Sequence, residues 1–304
     1  MSEAIAFFRW INATLGSNDE PLVINVDEAS LSYHMTGTVG TVLRTRPNRC
    51  PADRSRLNER RGRITYLASI CSDPALNQHL PQVLLGNCRR FTQALMRNAT
   101  GMLGGNLVLW REKSAWNNAS IMQRYITFLS RTVAVHAPGR QVYLVVDMAP
   151  CHLCADVWKC AVEKGIRMVL IPAGLTGVLQ PLDTHVFRQF RAKMQELWLA
   201  AKSNSERQLP MLEWVQVVAA AVDNVVISKD WRHAFERAGL LSRQALMAPA
   251  RLREFGWETT PAVPRGLPSL GQACGMFPRN STCNVAEWVH WRPVPSFRSI
   301  RTLD

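Results

Sequence analysis

The strongest constraint on the fold lies between Gln141 and Ala173. Two short, almost wholly apolar runs, QVYLVVD (141–147) and RMVLIPA (167–173), flank a segment from Ala155 to Gly165 whose apolar residues recur at helical spacing. Apolar runs of that length are typical of strands buried on both faces, which are usually parallel and joined by a covering helix. Gly165 is a natural stop for the helix, because a helix end often needs a left-handed residue without a Cβ. Strand, helix, strand is a βαβ unit, and the expected class is α/β.

The residues before it extend the sheet. PLVINVDEASLSY is dominated by β-branched residues and predicts a buried strand over Leu22 to Val26, with Asp27 at its end. TVGTVLRT (38–45) and GRITYLASICSD (62–73) are also strand-like and are separated by the polar, basic NRCPADRSRLNERRGR, which suggests an antiparallel meander. The prediction is therefore a mixed five-stranded sheet flanked by helices. WNNASIMQRYITFLSRTV (116–133) reads as a helix with asparagines placed to cap it. From Asp183 onward Val186, Phe187, Phe190, Met194, Leu197 and Trp198 mark one helical face, and helical patterns continue over 210–238 as a C-terminal extension.

At the ends, SEAIAFFRWINATL predicts a leading helix, and beyond residue 256 six prolines interrupt any periodicity. Three regions follow: a leading helix over 1–19, a main domain over 20–240 and a Pro-rich, poorly ordered tail over 241–304.

Charge narrows the partner. The 304-residue chain carries 36 Lys and Arg against 23 Asp and Glu, a net +13, which favours an acidic partner such as nucleic acid over a small-molecule substrate. The first residues, MSEAIAFFRW, lack the basic start and apolar core of a secretory signal, so the eight cysteines are expected to be reduced thiols. No run reaches the roughly 18–20 apolar residues of a membrane span, and no membrane association is expected.

Three aspartates stand at element ends: Asp27 after the first strand, Asp147 after the fourth and Asp183 before the helix that follows the fifth. A meander followed by a βαβ unit sets the first and fourth strands side by side, about 4.8 Å apart. Three carboxylates gathered there would repel, by about 1 kcal/mol per pair at 4 Å in water and about 4 kcal/mol at a surface-like dielectric. Hard divalent cations with oxygen ligands, Mg²⁺ or Mn²⁺, relieve that repulsion, and a pair of them suits in-line phosphoryl transfer on nucleic acid. Alternatives stand beside each residue. Asp183 could simply cap its helix, Asp27 could be a turn carboxylate with Glu28 the ligand, and His152 could be either a group supporting the metal or a plain helix-capping histidine.

The blocks VINVDEASLSY, GRITYLASICSDP through LPQVLLGN, VYLVVDMAPCH and IRMVLIPAGLTGVLQPLDTHVFRQFRAKM occur in that order, followed by WRHAFERAGL. Over residues 20–240 the chain resembles the DDE transposase domain of the pogo/Tigger/jerky branch of the mariner-like superfamily. The resemblance implies an RNase H-like fold, DNA as partner, two Mg²⁺ or Mn²⁺ ions, a nuclear location and a homodimer as one form of assembly. It puts the catalytic, metal-holding carboxylates at Asp27 in N-x-D-E, at Asp147 opening D-x-x-x-x-H with His152, and at Asp183 ending Q-P-L-D. Between Asp147 and Asp183 lie 35 residues, a spacing similar to one in that branch. The sequence departs from the pattern at Met148, where Asn or Gly is usual. Such domains also follow helix-turn-helix units, so a truncated copy or fragment of a longer product is expected. The competing reading is a domesticated or decayed nucleic-acid-binding protein that keeps the fold without catalysis; a general RNase H-like nuclease is a third.

Basic residues are the candidates for DNA phosphates: Arg188, Arg191 and Lys193 on the helix that Asp183 begins, and Arg54, Arg56, Arg60, Arg61 and Arg63 in the basic loop. Cys151, Cys154 and Cys160 beside His152 suggest zinc at first sight. No second Cys/His pair follows at ligand spacing, so helix-lining thiols are expected. Trp110 and Trp116 are in reach of base stacking by position, with core packing the alternative.

Overall fold

The computed structural model describes residues 21–33, 63–100, 102–103, 106–171, 174–202 and 209–241. Six strands form one sheet: β1 (Leu22–Ser32), β2 (Arg63–Cys71), β3 (Gln82–Asn87), β4 (Leu107–Glu112), β5 (Val142–Val146) and β6 (Ile166–Leu170), in the order β4-β3-β2-β1-β5-β6. The helices are α1 (Pro74–Asn77), α2 (Gln93–Thr100), α3 (Ala119–His136), α4 (Ala155–Glu163), α5 (Thr176–Leu179), α6 (Phe187–Lys202), α7 (Met211–Ala221) and α8 (Arg232–Arg237). A π-helical turn, Leu182–Val186, leads into α6, and a second, Val222–Ile227, follows α7. The fold is α/β with a mixed sheet flanked by helices. Among the described residues no helix is long and apolar enough to cross a membrane.

The chain packs as two compact units: Asn118–Pro181 with the first residues of β1 and with α8, and Val26–Asn117 with Leu182–Trp231. In the first, Leu22–Asn25 of β1 pairs in parallel with Val142–Val145, and β5 pairs in parallel with β6 along its whole length. The first and fourth expected strands are thus neighbours, as the βαβ reading requires. Every residue of β5 is buried, which explains its unbroken apolar run. Asn118 caps α3 by accepting from the Ile121 amide at 3.1 Å, and Gly165 ends α4 at φ +70°. α3 and α4 pack together, and Cys160 lies in their contact, its Sγ 3.9 Å from Thr127 Oγ1.

In the second unit β2 pairs antiparallel with β3, and β3 pairs in parallel with β4. Two buried amide side chains each bond several of its polar groups. Gln82 accepts from the Tyr66 hydroxyl at 2.7 Å and donates to the Ser69 carbonyl at 2.7 Å. Asn77 accepts from the Cys71 amide at 2.9 Å and donates to the carbonyls of Val226, Ile227 and Lys229 at 2.9, 3.2 and 3.3 Å. It thereby holds the end of the second π turn, whose carbonyls have no continuing helix to bond. On α6 the buried residues are Phe187, Phe190, Met194 and Trp198, and Phe190 meets the Tyr66 ring with centroids 5.0 Å apart.

Several expectations need correction. The first strand does not stop at Val26: Ala29 and Leu31 are buried beyond it while Ser30 is exposed, so the period-2 pattern carries β1 to Ser32 with Asp27 in its interior. Among the described residues the sheet has six strands; β3 and β4 were not among the expected ones, and each is only six residues long and set among polar and turn residues. The expected strand at 38–45, the leading helix over 1–19, Arg54 to Arg61 of the basic loop, and the tail beyond residue 241 lie outside the described residues. Arg63 opens β2.

Candidate metal centre

Asp147 follows the last residue of β5, at the carboxyl end of a strand paired in parallel on both sides, where open α/β sheets present their functional groups. The chain turns tightly there. The Ala149 amide donates to Asp147 Oδ1 at 3.0 Å, an Asx-type turn, and the His152 amide donates to the Ala149 carbonyl at 2.8 Å. This brings the fully buried His152 ring back onto the aspartate, with Nδ1 2.7 Å from Oδ1 and 3.1 Å from the Asp147 carbonyl. A carboxylate and a carbonyl can only accept, so Nδ1 carries the proton and donates to both. Trp158, buried on α4, in turn donates its indole N–H to the His152 carbonyl at 2.7 Å.

Burial pushes the Asp147 carboxyl up, but the His152 hydrogen bond, the imidazole charge and the Ala149 amide together pull it further down, so it lies below its ordinary value. Both of these hydrogen bonds fall on Oδ1, and among the described residues Oδ2 accepts none. The side chain keeps 29% of its exposure. An ionised, oriented carboxylate with one oxygen open is a suitable donor for a hard cation such as Mg²⁺ or Mn²⁺.

Asp27 and Asp183 belong to the second unit. Asp27 is buried on β1, its Oδ1 accepting from the Glu28 amide at 2.7 Å. Glu28 is half-buried and its carboxylate accepts from the Asn117 side-chain amide, so this neighbour of Asp27 is already engaged with the chain. Asp183 is the exposed second residue of the first π turn. It is therefore inside the helical run and is not the residue that caps it, which removes the simple N-cap reading. π turns inserted at a helix start frequently occur at functional sites. Behind Asp183, Leu182 and Val186 are buried and anchor the turn.

Arg188 and Arg191 are exposed on α6, the Arg191 guanidinium 5.5 Å from the centre of the Phe187 ring. Lys193 pairs with Glu196 at 2.7 Å on the same helix. Arg60 and Arg61 lie outside the described residues. Trp110 is buried on β4 and is a core residue, whereas Trp116 is 70% exposed. Of the three cysteines near His152 only Cys160 lies on a helix; Cys151 and Cys154 precede α4. Sequence reasoning missed Trp158, since nothing in its spacing announces a bond to a main-chain carbonyl six residues earlier.

The molecule is thus an α/β domain with a mixed sheet and an ionised carboxylate at the exit of an inner parallel strand. The family model of the DDE superfamily endonucleases matches residues 64–235, more than half of the chain, and the chain belongs to that family. Among solved structures it is similar to the Mos1 strand transfer complex, at 14% identity and a TM-score of 0.42 over 79% of this chain and 58% of that one. It is also similar to the Mos1 mariner paired-end complexes with Mn (14%, TM-score 0.41, 78% and 59%) and with Mg (16%, TM-score 0.39, 78% and 60%). The chain spans about three fifths of the length of these solved chains. No curated protein matches it.

Proposed function

We propose that the chain is a DNA-binding, metal-dependent endonuclease domain of the transposase type, of the pogo/Tigger/jerky branch, acting in the nucleus. Asp27, Asp147 and Asp183 would hold two Mg²⁺ or Mn²⁺ ions. When bound, the ions supply an activated water or 3′-hydroxyl and stabilise the leaving oxygen in phosphodiester cleavage and strand transfer.

The observation that carries the reading is the Asp147 carboxylate, kept ionised with Oδ1 engaged and Oδ2 open, in a chain of this family. Within this scheme Asp147 offers a donor oxygen that needs no deprotonation at neutral pH, and His152 keeps its carboxyl group from rotating. Arg188 and Arg191, extending from the helix behind Asp183, would neutralise backbone phosphates, with Lys193 a third contact once released from Glu196.

The test is thermal melting of the full chain with and without Mn²⁺, beside Asp147→Asn, followed by nicking of supercoiled DNA. An ion at about 100 times its dissociation constant adds about 2.7 kcal/mol to the native state. Stabilisation and nicking in the parent, with both lost and DNA binding kept in Asp147→Asn, are expected. A mutant that nicks as well as the parent would sink the assignment, and absence of both effects in a parent that binds DNA would leave the non-catalytic reading.

A further inference from the structure

We infer that Trp158 is a positioning residue for the metal centre, acting through the main chain of His152 on the Asp147 carboxylate; this deepens the proposed function and rests on it. Three contacts carry the argument. The Trp158 indole N–H donates to the His152 carbonyl at 2.7 Å, the His152 Nδ1–H donates to Asp147 Oδ1 at 2.7 Å, and the same N–H reaches the Asp147 carbonyl at 3.1 Å.

Each member is immobilised by something different. Trp158 is buried on α4, and its indole has one donor to place. His152 has no exposed surface, and its amide is tied to the Ala149 carbonyl at 2.8 Å. A buried imidazole held at its backbone and gripping both the carboxylate and the carbonyl of one aspartate leaves that carboxylate a single orientation. Oδ1 faces the protein, and Oδ2 is the oxygen left for a cation.

The indole is thus a strut, six residues along the chain, for a ligand it never touches. Groups that orient a metal ligand through hydrogen bonds typically change metal affinity by about 10- to 100-fold when removed. The geometry also makes the donor atom specific: an asparagine amide nitrogen stands where imidazole Nδ1 stands, while a leucine of similar size has nothing to donate.

The experiment is calorimetric titration of Mn²⁺ into the full chain and into Trp158→Phe, His152→Leu and His152→Asn, with ¹⁵N spectra of the imidazoles recorded on the metal-free parent and on Trp158→Phe. Binding weakened about 10- to 100-fold in Trp158→Phe and His152→Leu, with His152→Asn back within a few-fold of the parent, is expected. The spectra should show a sharp, slowly exchanging Nδ1–H in the parent that broadens in Trp158→Phe. If the parent binds Mn²⁺ and Trp158→Phe binds equally well with the imidazole signal unchanged, this inference fails while the metal centre stands. If the parent binds no Mn²⁺, the metal-centre reading fails and takes the inference with it. Should Trp158→Phe not fold, the His152 pair decides: an asparagine as weak as leucine overturns the proposal.

Discussion

His152 Nδ1 lies 2.7 Å from Asp147 Oδ1, and the four residues between them turn tightly enough to make that contact. The imidazole has no exposed surface and the carboxylate keeps part of its own, so the pair has a fixed inner side and an open outer one.

That asymmetry sets an acid dependence. Asp147 titrates below its ordinary value, about 3.9 for an aspartate in an unfolded chain, so the native form binds fewer protons than the unfolded form between the two values. Its contribution to stability is fully present above the unfolded value and is lost as pH falls through the native one. In chelator, the denaturation midpoint of the parent relative to Asp147→Asn is expected to be constant from about pH 7 to 5 and to fall below about pH 4. A gap that widens on acidification contradicts the pairing.

On α6, Arg188 and Arg191 are exposed, and if they hold phosphates each releases counterions on binding. Changing both to Ala is expected to reduce the slope of log K against log salt by about 2 on duplex DNA, since each neutralised phosphate contributes about 0.9. Fluorescence anisotropy across a salt series measures this, and an unchanged slope removes the helix from the interface.

Gly86 on β3 has no room for a side chain, because a Cβ there would come within 2.5 Å of the buried Phe91 ring. Gly86→Ala should cost about 1–3 kcal/mol, the usual range for overpacking, read as a lower urea midpoint with unchanged slope. Wild-type stability in that variant would mean that the ring moves aside freely.

Asn77 joins β2 to the second π turn through four hydrogen bonds, and it is buried. Asn77→Ala removes the acceptor of the Cys71 amide and one of the two donors to the Val226 carbonyl, the other being the Trp231 indole at 3.0 Å, and is expected to destabilise by about 1–3 kcal/mol. Hydrogen exchange should show faster exchange in β2 near Cys71 specifically; uniform acceleration alone would argue against a local role.

Much was legible in the sequence. β5 and β6 declare themselves because burial on both faces demands an unbroken apolar run, and α3 and α4 because Asn118 and Gly165 mark a helix start and stop by their own chemistry. The neighbouring of β1 and β5 followed from connectivity alone. β3 and β4 were not legible: six residues among turn formers carry too little pattern, and their status as strands comes from the partners they pair with. The end of β1 is not legible either, because a charged residue at Asp27 looks like a boundary although Ala29 and Leu31 continue the alternation.

The same division holds at the site. Residue order and type alone singled out Asp27, Asp147, His152 and Asp183, because the chemistry of a hard cation demands carboxylates and the blocks carry them in order. Tertiary structure alone decided which oxygen of Asp147 is engaged, that Glu28 is tied to Asn117, that Asp183 sits inside a π turn, and that Trp158 braces His152. The physical reason is one of range: local spacing encodes burial and backbone preference, whereas the direction of a hydrogen bond depends on where a folded chain brings donor and acceptor together.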